Sequence, residues 1–157
     1  RLDAAAKGIE TVIVHNASIH SAAPALSGLF NYKFGRSASI PFPQEGYTPE
    51  SFYDVLKENR SLGLHTLLFL DIKDKLMTVN EALSILLGIE NRRREGVMKK
   101  DTLVVGLGCV GSEKQVIIAG TAADVKNKDF GPVPHVLIVP GELHFMEEEY
   151  LKEFGGL

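Results

Sequence analysis

The run Val133-Pro134-His135-Val136-Leu137-Ile138-Val139-Pro140-Gly141 sets one imidazole between a proline turn and four apolar residues. Pro134 biases Val133 toward an extended backbone. Val136 to Val139 reads as a strand buried on both faces, and Pro140-Gly141 ends it. His135 therefore marks the entrance of a buried strand, beside any cleft that opens there. Its ring can hydrogen-bond a ligand, or it can be a strand-end histidine satisfied within the protein. Two other stretches share this logic. His15-Asn16-Ala17-Ser18-Ile19 follows the apolar run Thr11 to Val14, and Asp71-Ile72-Lys73 follows the run Leu67 to Leu70. In open α/β sheets ligands bind outside the carboxyl ends of the strands. If the sheet is parallel, Ser18, Ile19, Leu70 and Asp71 are where a cofactor is expected.

Each candidate also has a plainer reading. Ser18 fits an ordinary helix N-cap, and both roles are compatible. Asp71 and Lys73 could hold charged groups of a substrate, but pairing with each other at the surface is the favoured reading. Cys109 has no base nearby in sequence and fits a small buried hydrophobe. The five histidines lack metal-ligand spacing, so no metal is expected. Arg92-Arg93-Arg94 reads as a solvated helix end, where cations are favoured, or as a contact for an acidic partner.

The elements that must position these residues fit within 157 residues, enough for one domain or one and a half. A net charge of -3 gives no reason to expect a nucleic-acid surface. No apolar run approaches the length of a membrane span, and no signal peptide is seen. A single cysteine excludes an internal disulfide and fits a reducing cytoplasm. The chain begins at Arg1, inside what reads as an uncapped helix over Leu2 to Lys7, so a fragment with sequence missing upstream is expected.

Strands and helices alternate along the chain. A strand is expected at Thr11–Val14, and Ser18 can cap a helix running from Ile19 to Leu29, with Pro24 and Gly28 interrupting its pattern. Tyr32–Gly35 reads as a linker and Ser37–Ile40 as a short strand. Thr48 is expected to cap a helix with Pro49 at its first position, Phe52, Val55 and Leu56 on its apolar face, and Gly63 at its end. His65–Leu70 is the clearest strand. Thr78-Val79-Asn80-Glu81 is a capping box, followed by Ala82, Ile85, Leu86 and Ile89 at one-face spacing. Asp101–Leu107 and Gln115–Gly120 read as a hairpin, and Asp129–Pro134 as a turn before the Pro-His strand. Phe145–Phe154 is a final helix, with Glu148 and Lys152 at favourable spacing.

Several of these segments together resemble the diphthine synthase family, methyltransferases of the tetrapyrrole-methylase-like class. The resemblance is carried by His15-Asn16-Ala17-Ser18-Ile19, Tyr32-Lys33-Phe34-Gly35, Glu50-Ser51-Phe52-Tyr53-Asp54 and Lys57-Glu58-Asn59. Its most specific part is Gly63-Leu64-His65-Thr66-Leu67-Leu68-Phe69-Leu70-Asp71-Ile72-Lys73. Met77-Thr78-Val79-Asn80-Glu81-Ala82, Asp101-Thr102-Leu103, Ala119-Gly120 and Pro134-His135 continue it in order.

The resemblance implies a two-lobed α/β fold with the cofactor between the lobes. Residues 1–31 would be the end of the first lobe and 32–157 a complete, mixed-sheet second lobe. The family's early glycine-rich strand end and Gly-Asp-Pro motif do not occur here. The implied cofactor is S-adenosylmethionine, held by Ser18, Ile19, Leu70, Val110 and His135, with no catalytic side chain identified. Gly108-Cys109-Val110-Gly111 departs from the usual family loop, where a small residue and an Arg are common, so only a backbone role carries over to Val110. Without the resemblance, Leu70 and Val110 read as core packing. The implied substrate is the amino-carboxypropyl-modified histidine of translation elongation factor 2, on the way to diphthamide. A cytoplasmic homodimer is expected, with no membrane and no direct nucleic-acid contact. The alternatives are a same-class methyltransferase acting on a tetrapyrrole or other small molecule, or, for this chain alone, a non-catalytic dimerisation lobe. Taken as a fragment, the chain is expected to be inactive, with Leu2 to Phe30 displaced so that Ser18 and Ile19 lie away from the other three residues.

Overall fold

In a computed structural model, which describes residues 1–73 and 75–157, five strands form one mixed sheet in the order β1-β2-β5-β3-β4. The strands are β1 (Ala38–Ile40), β2 (Thr66–Leu70), β3 (Leu103–Gly108), β4 (Val116–Thr121) and β5 (His135–Val139). β1 and β2 run parallel, while β5 lies antiparallel to both β2 and β3, and β3 and β4 form the expected hairpin.

Alternation along the strands builds a core on each face. Leu68, Leu70, Val104, Leu137 and Val139 join one cluster, completed by Phe52 and Leu56 of α3 (Ser51–Ser61) and Leu83 and Leu86 of α4 (Val79–Arg93). Leu67, Val105, Leu107, Val136 and Ile138 join the other, with Ala23 of α2 (Ile19–Ser27) and Leu151 of α6 (Phe145–Phe154). Helices therefore cover both sheet faces. This explains why β5 carries an unbroken apolar run. The remaining helices are short: α1 (Leu2–Ala6), α5 (Ala122–Val125) and a 3-10 turn at Asn31–Lys33.

The local signals hold at several helix ends. Thr78 accepts the Glu81 N–H while the Glu81 carboxylate accepts the Thr78 N–H, which is the capping box at the start of α4. Lys152 and Glu148 pair at 2.6 Å across one turn of α6. α3 departs from expectation. It begins at Ser51, with Glu50 at the N-cap and no side-chain cap, rather than at Thr48-Pro49. Glu50 instead meets Arg92 at 2.7 Å and Arg93 at 3.5 Å, so the start of α3 is tied to the end of α4. Arg93 also reaches Asp54 and Glu95. The arginine run is therefore largely engaged within the fold rather than simply solvated.

The expected strand at Thr11–Val14 lies outside the sheet, with Val12 and Val14 80% and 83% exposed. Strand propensity alone does not make a strand: the segment has no ladder partner among the described residues.

α2, by contrast, is seated and not displaced. Ala23 and Ser27 are fully buried, and the chain beyond is fixed by Glu147 of α6. The Glu147 carboxylate accepts the N–H groups of Phe30 (2.7 Å) and His144 (2.7 Å), the Lys33 ammonium (2.8 Å) and the His65 ring (3.0 Å). His65 in turn accepts the Gly141 N–H on Nδ1. Burial raises the Glu147 carboxyl, but Lys33 and the other donors outweigh it and hold the group at about 2. Burial also holds His65 below its ordinary value, against the opposing pull of Glu147. This cluster lies where β2 begins and β5 has ended, so the opposite end of those strands is left open.

Candidate functional site

At that open end, the carboxyl termini of β1, β2 and β3 meet the amino terminus of β5. The register aligns Ile40 with Leu70, Phe69 with Val136 and Gly108 with His135. A single cleft of about 650 Å³ opens there, and Ser18, Ile19, Leu70, Val110 and His135 all line it. The rule that ligands sit beyond carboxyl ends thus applies to three strands, although the sheet is mixed. The fourth contribution comes from a strand that enters at this edge.

Each element delivers its residue for a local reason. Ser18 is the N-cap of α2: its backbone is extended and its hydroxyl oxygen accepts the His20 N–H at 3.3 Å. The Ser18 O–H and the Ile19 N–H have no acceptor among the described residues, so both can donate to a ligand. Leu70 ends β2, and the chain then turns as the Asp71 carboxylate accepts the N–H groups of Phe42 (2.8 Å) and Lys73 (3.0 Å). The Phe42 bond does most to hold that carboxyl below its ordinary value, against the effect of burial. No ion pair between Asp71 and Lys73 forms, and the two meet through the Lys73 backbone instead. At an open surface a pair between Asp71 and the exposed Lys73 would gain little, so the backbone bonds set the geometry of the turn.

Val110 follows β3 in a loop pinned to the Pro-His turn. Cys109 takes a left-handed backbone, φ 47°, held because its N–H donates to the Pro134 carbonyl (3.0 Å) and its thiol to the Pro132 carbonyl (2.7 Å). The thiol has a structural partner, consistent with a non-nucleophilic reading.

His135 is held on both ring nitrogens. Nδ1 accepts the Val79 N–H at 3.3 Å, and Nε2 lies 3.2 Å from the Gly131 carbonyl, to which it must donate. The ring therefore caps the first N–H of α4 and faces the cleft as a wall. The Val133–Pro134 peptide before it is cis. Glycine at 108 permits this packing, since a Cβ there would collide with the Phe130 carbonyl.

Sequence reasoning did not find Ser39, Phe69 and Ala22 in the lining, nor the cap on Val79. It also missed the Glu147 cluster. One signal was available there: Glu147 stands four residues before the fully buried Leu151, on the same helix face. Among the described residues no cluster of His, Cys, Asp or Glu could hold a metal, and no helix is long and apolar enough to cross a membrane.

No protein-family model matches the chain. The diphthine synthase of Methanosarcina mazei is 53% identical over 96% of this chain and 59% of its own length. That of Methanoregula boonei is 49% identical over 100% of this chain and 62% of its own. A crystal structure of diphthine synthase superposes with a TM-score of 0.87 at 38% identity, over 99% of this chain and 58% of that one. The chain thus spans about three fifths of the length of the curated relatives it matches. Over this region the chain shares the mixed α/β fold of the diphthine synthases and is similar to them in sequence.

Proposed function

We propose that this protein acts as an S-adenosylmethionine-dependent methyltransferase of diphthamide biosynthesis. Its acceptor is the amino-carboxypropyl-modified histidine of translation elongation factor 2. One observation carries this reading: Ser18, Ile19, Leu70, Val110 and His135 converge on one cleft, in a chain whose relatives are diphthine synthases. The cleft suits the cofactor in size and chemistry, being within the usual range of roughly 300–1,000 Å³ for ligand sites and mostly apolar.

S-adenosylmethionine, when bound, supplies a methyl group already activated on a sulfonium. The chain's part is to bind, orient and exclude water. Leu70 and Val110 offer apolar walls and backbone groups for a flat heterocycle. The Ser18 hydroxyl and the Ile19 N–H offer donors at the opposite wall. His135 shapes the cleft and does not accept the acceptor's proton, because both its nitrogens are already bonded. No general base is assigned among the described residues. On this reading residues 1–31 end a first lobe, residues 32–157 form the second, and the protein works in the cytoplasm as a homodimer.

The test is transfer of labelled methyl from S-adenosylmethionine to elongation factor 2 carrying the amino-carboxypropyl group, with a porphyrin precursor as the competing acceptor. Labelling of the factor alone is expected. Labelling of the porphyrin precursor alone would assign the protein to small-molecule methylation instead.

A further inference from the structure

Asp71 is the one carboxylate among the described residues lining the cleft. Its Oδ2 accepts the Phe42 N–H and its Oδ1 the Lys73 N–H, so the group is fixed in orientation. The Ile72 backbone N–H also helps hold the carboxylate charged, and the two oxygens together still have acceptor capacity for a ligand. No Lys, Arg or His among the described residues forms an ion pair with it. Backbone N–H groups and the nearby Lys73 charge hold it ionised, but no side-chain cation contacts it, and it stands beside a cleft walled partly by apolar side chains such as Leu70 and Val136. Such a wall favours cations over neutral molecules of the same shape.

We infer that Asp71 is a binding residue that supplies the counter-charge for the cationic part of the cleft's ligand. The inference rests on the cofactor reading above. S-adenosylmethionine carries two positive groups, a sulfonium and an ammonium. S-adenosylhomocysteine keeps only the ammonium, and 5′-methylthioadenosine has neither. Binding of all three, measured by calorimetry on the wild-type chain and on Asp71→Asn, separates the possibilities. The substitution is expected to weaken S-adenosylmethionine about tenfold, as for loss of one charge-assisted contact at a partly exposed site. It should leave 5′-methylthioadenosine within about twofold, since that ligand has no charge for Asp71 to meet. S-adenosylhomocysteine then assigns the charge: unchanged binding points to the sulfonium, weakened binding to the ammonium. Asp71→Ser, which keeps a small acceptor for the Phe42 N–H, should give the same ratios if the amide disturbs the turn. Equal weakening of all three ligands, or none for S-adenosylmethionine, overturns the inference and leaves Asp71 a turn residue. If the wild type binds none of the three, the cofactor reading fails and this inference with it.

Discussion

Replacing His135 by alanine perturbs two things at once, and the structure lets their sizes be compared. The ring's Nδ1 satisfies the Val79 N–H, which is the first donor of α4, and Val79 is fully buried. That N–H has no preceding turn of helix to bond to. Leaving such a donor unmade costs about 1–3 kcal/mol. The bond is long at 3.3 Å, which places the loss in the lower half of that range. The ring also packs against Phe130 with centroids 5.7 Å apart, worth about 0.5–1.5 kcal/mol. We therefore predict a loss of about 2 kcal/mol for His135→Ala, or a Tm lower by roughly 4–8 °C for a chain of this size. His135→Asn is the informative partner. Its amide oxygen stands as many bonds from Cα as Nδ1 does, so it can still accept the Val79 N–H and should recover about half of the loss. Urea unfolding followed by circular dichroism reads both. If alanine costs less than about 0.5 kcal/mol, or if asparagine is no better than alanine, the capping role is refuted.

On acidification two carboxylates lose their hold, Glu147 and Glu90 of α4. Burial pushes Glu90 up, but the N–H groups of Met98, Gly96 and Val97 and the Tyr53 hydroxyl hold it down. Both groups sit at about 2 and contribute stability that is complete above their ordinary value of 4.5 and is lost as pH falls toward 2. His65, held below 6.5, adds a loss that begins higher, because the unfolded chain binds its proton first. The urea midpoint should thus decline in two stages below pH 6.5, and Glu147→Gln should flatten the lower stage while weakening the fold at neutral pH. Gly28→Ala should destabilise by about 1–3 kcal/mol, because Gly28 caps α2 at φ 68° and a Cβ there would collide with the Tyr150 ring of α6; chemical denaturation checks it. Sedimentation should show a dimer at micromolar concentration, and a monomer there would remove that part of the proposed function.

What was legible in the sequence was mostly local. The Thr78–Glu81 capping box, the Ser18 cap and the Phe145–Phe154 helix are each written in fewer than a dozen neighbouring residues, and each is found. The apolar run after Pro134 announced a doubly covered strand, and β5 is one. What failed were features set by distant partners. Thr11–Val14 has strand composition but no ladder to join, and Thr48-Pro49 yields to Glu50, which α4's arginines hold. The convergence of the five cleft residues could be named from the family resemblance. The reason for it could not be read locally, because β5 inserts between β2 and β3, elements far apart along the chain.

That insertion couples the cleft to the fold. A parallel strand at the centre of the sheet would bring its carboxyl end, and a loop, to this edge. The antiparallel β5 brings instead its first residue, fixed by the turn before it and the ladder after it. Gly108 pairs with His135 on one side and Val136 with Phe69 on the other, so His135 cannot shift without slipping two registers. The same residue caps α4, whose Leu83 and Leu86 fill the core under Leu68 and Leu137. The wall of the cleft and the docking of the longest helix therefore share one imidazole. Changes that loosen α4, even on its buried face far from the cleft, should reach the ligand through Val79 and His135. Changes at Ser18, which caps α2 and belongs to neither core cluster, should alter the cleft with little effect on the core.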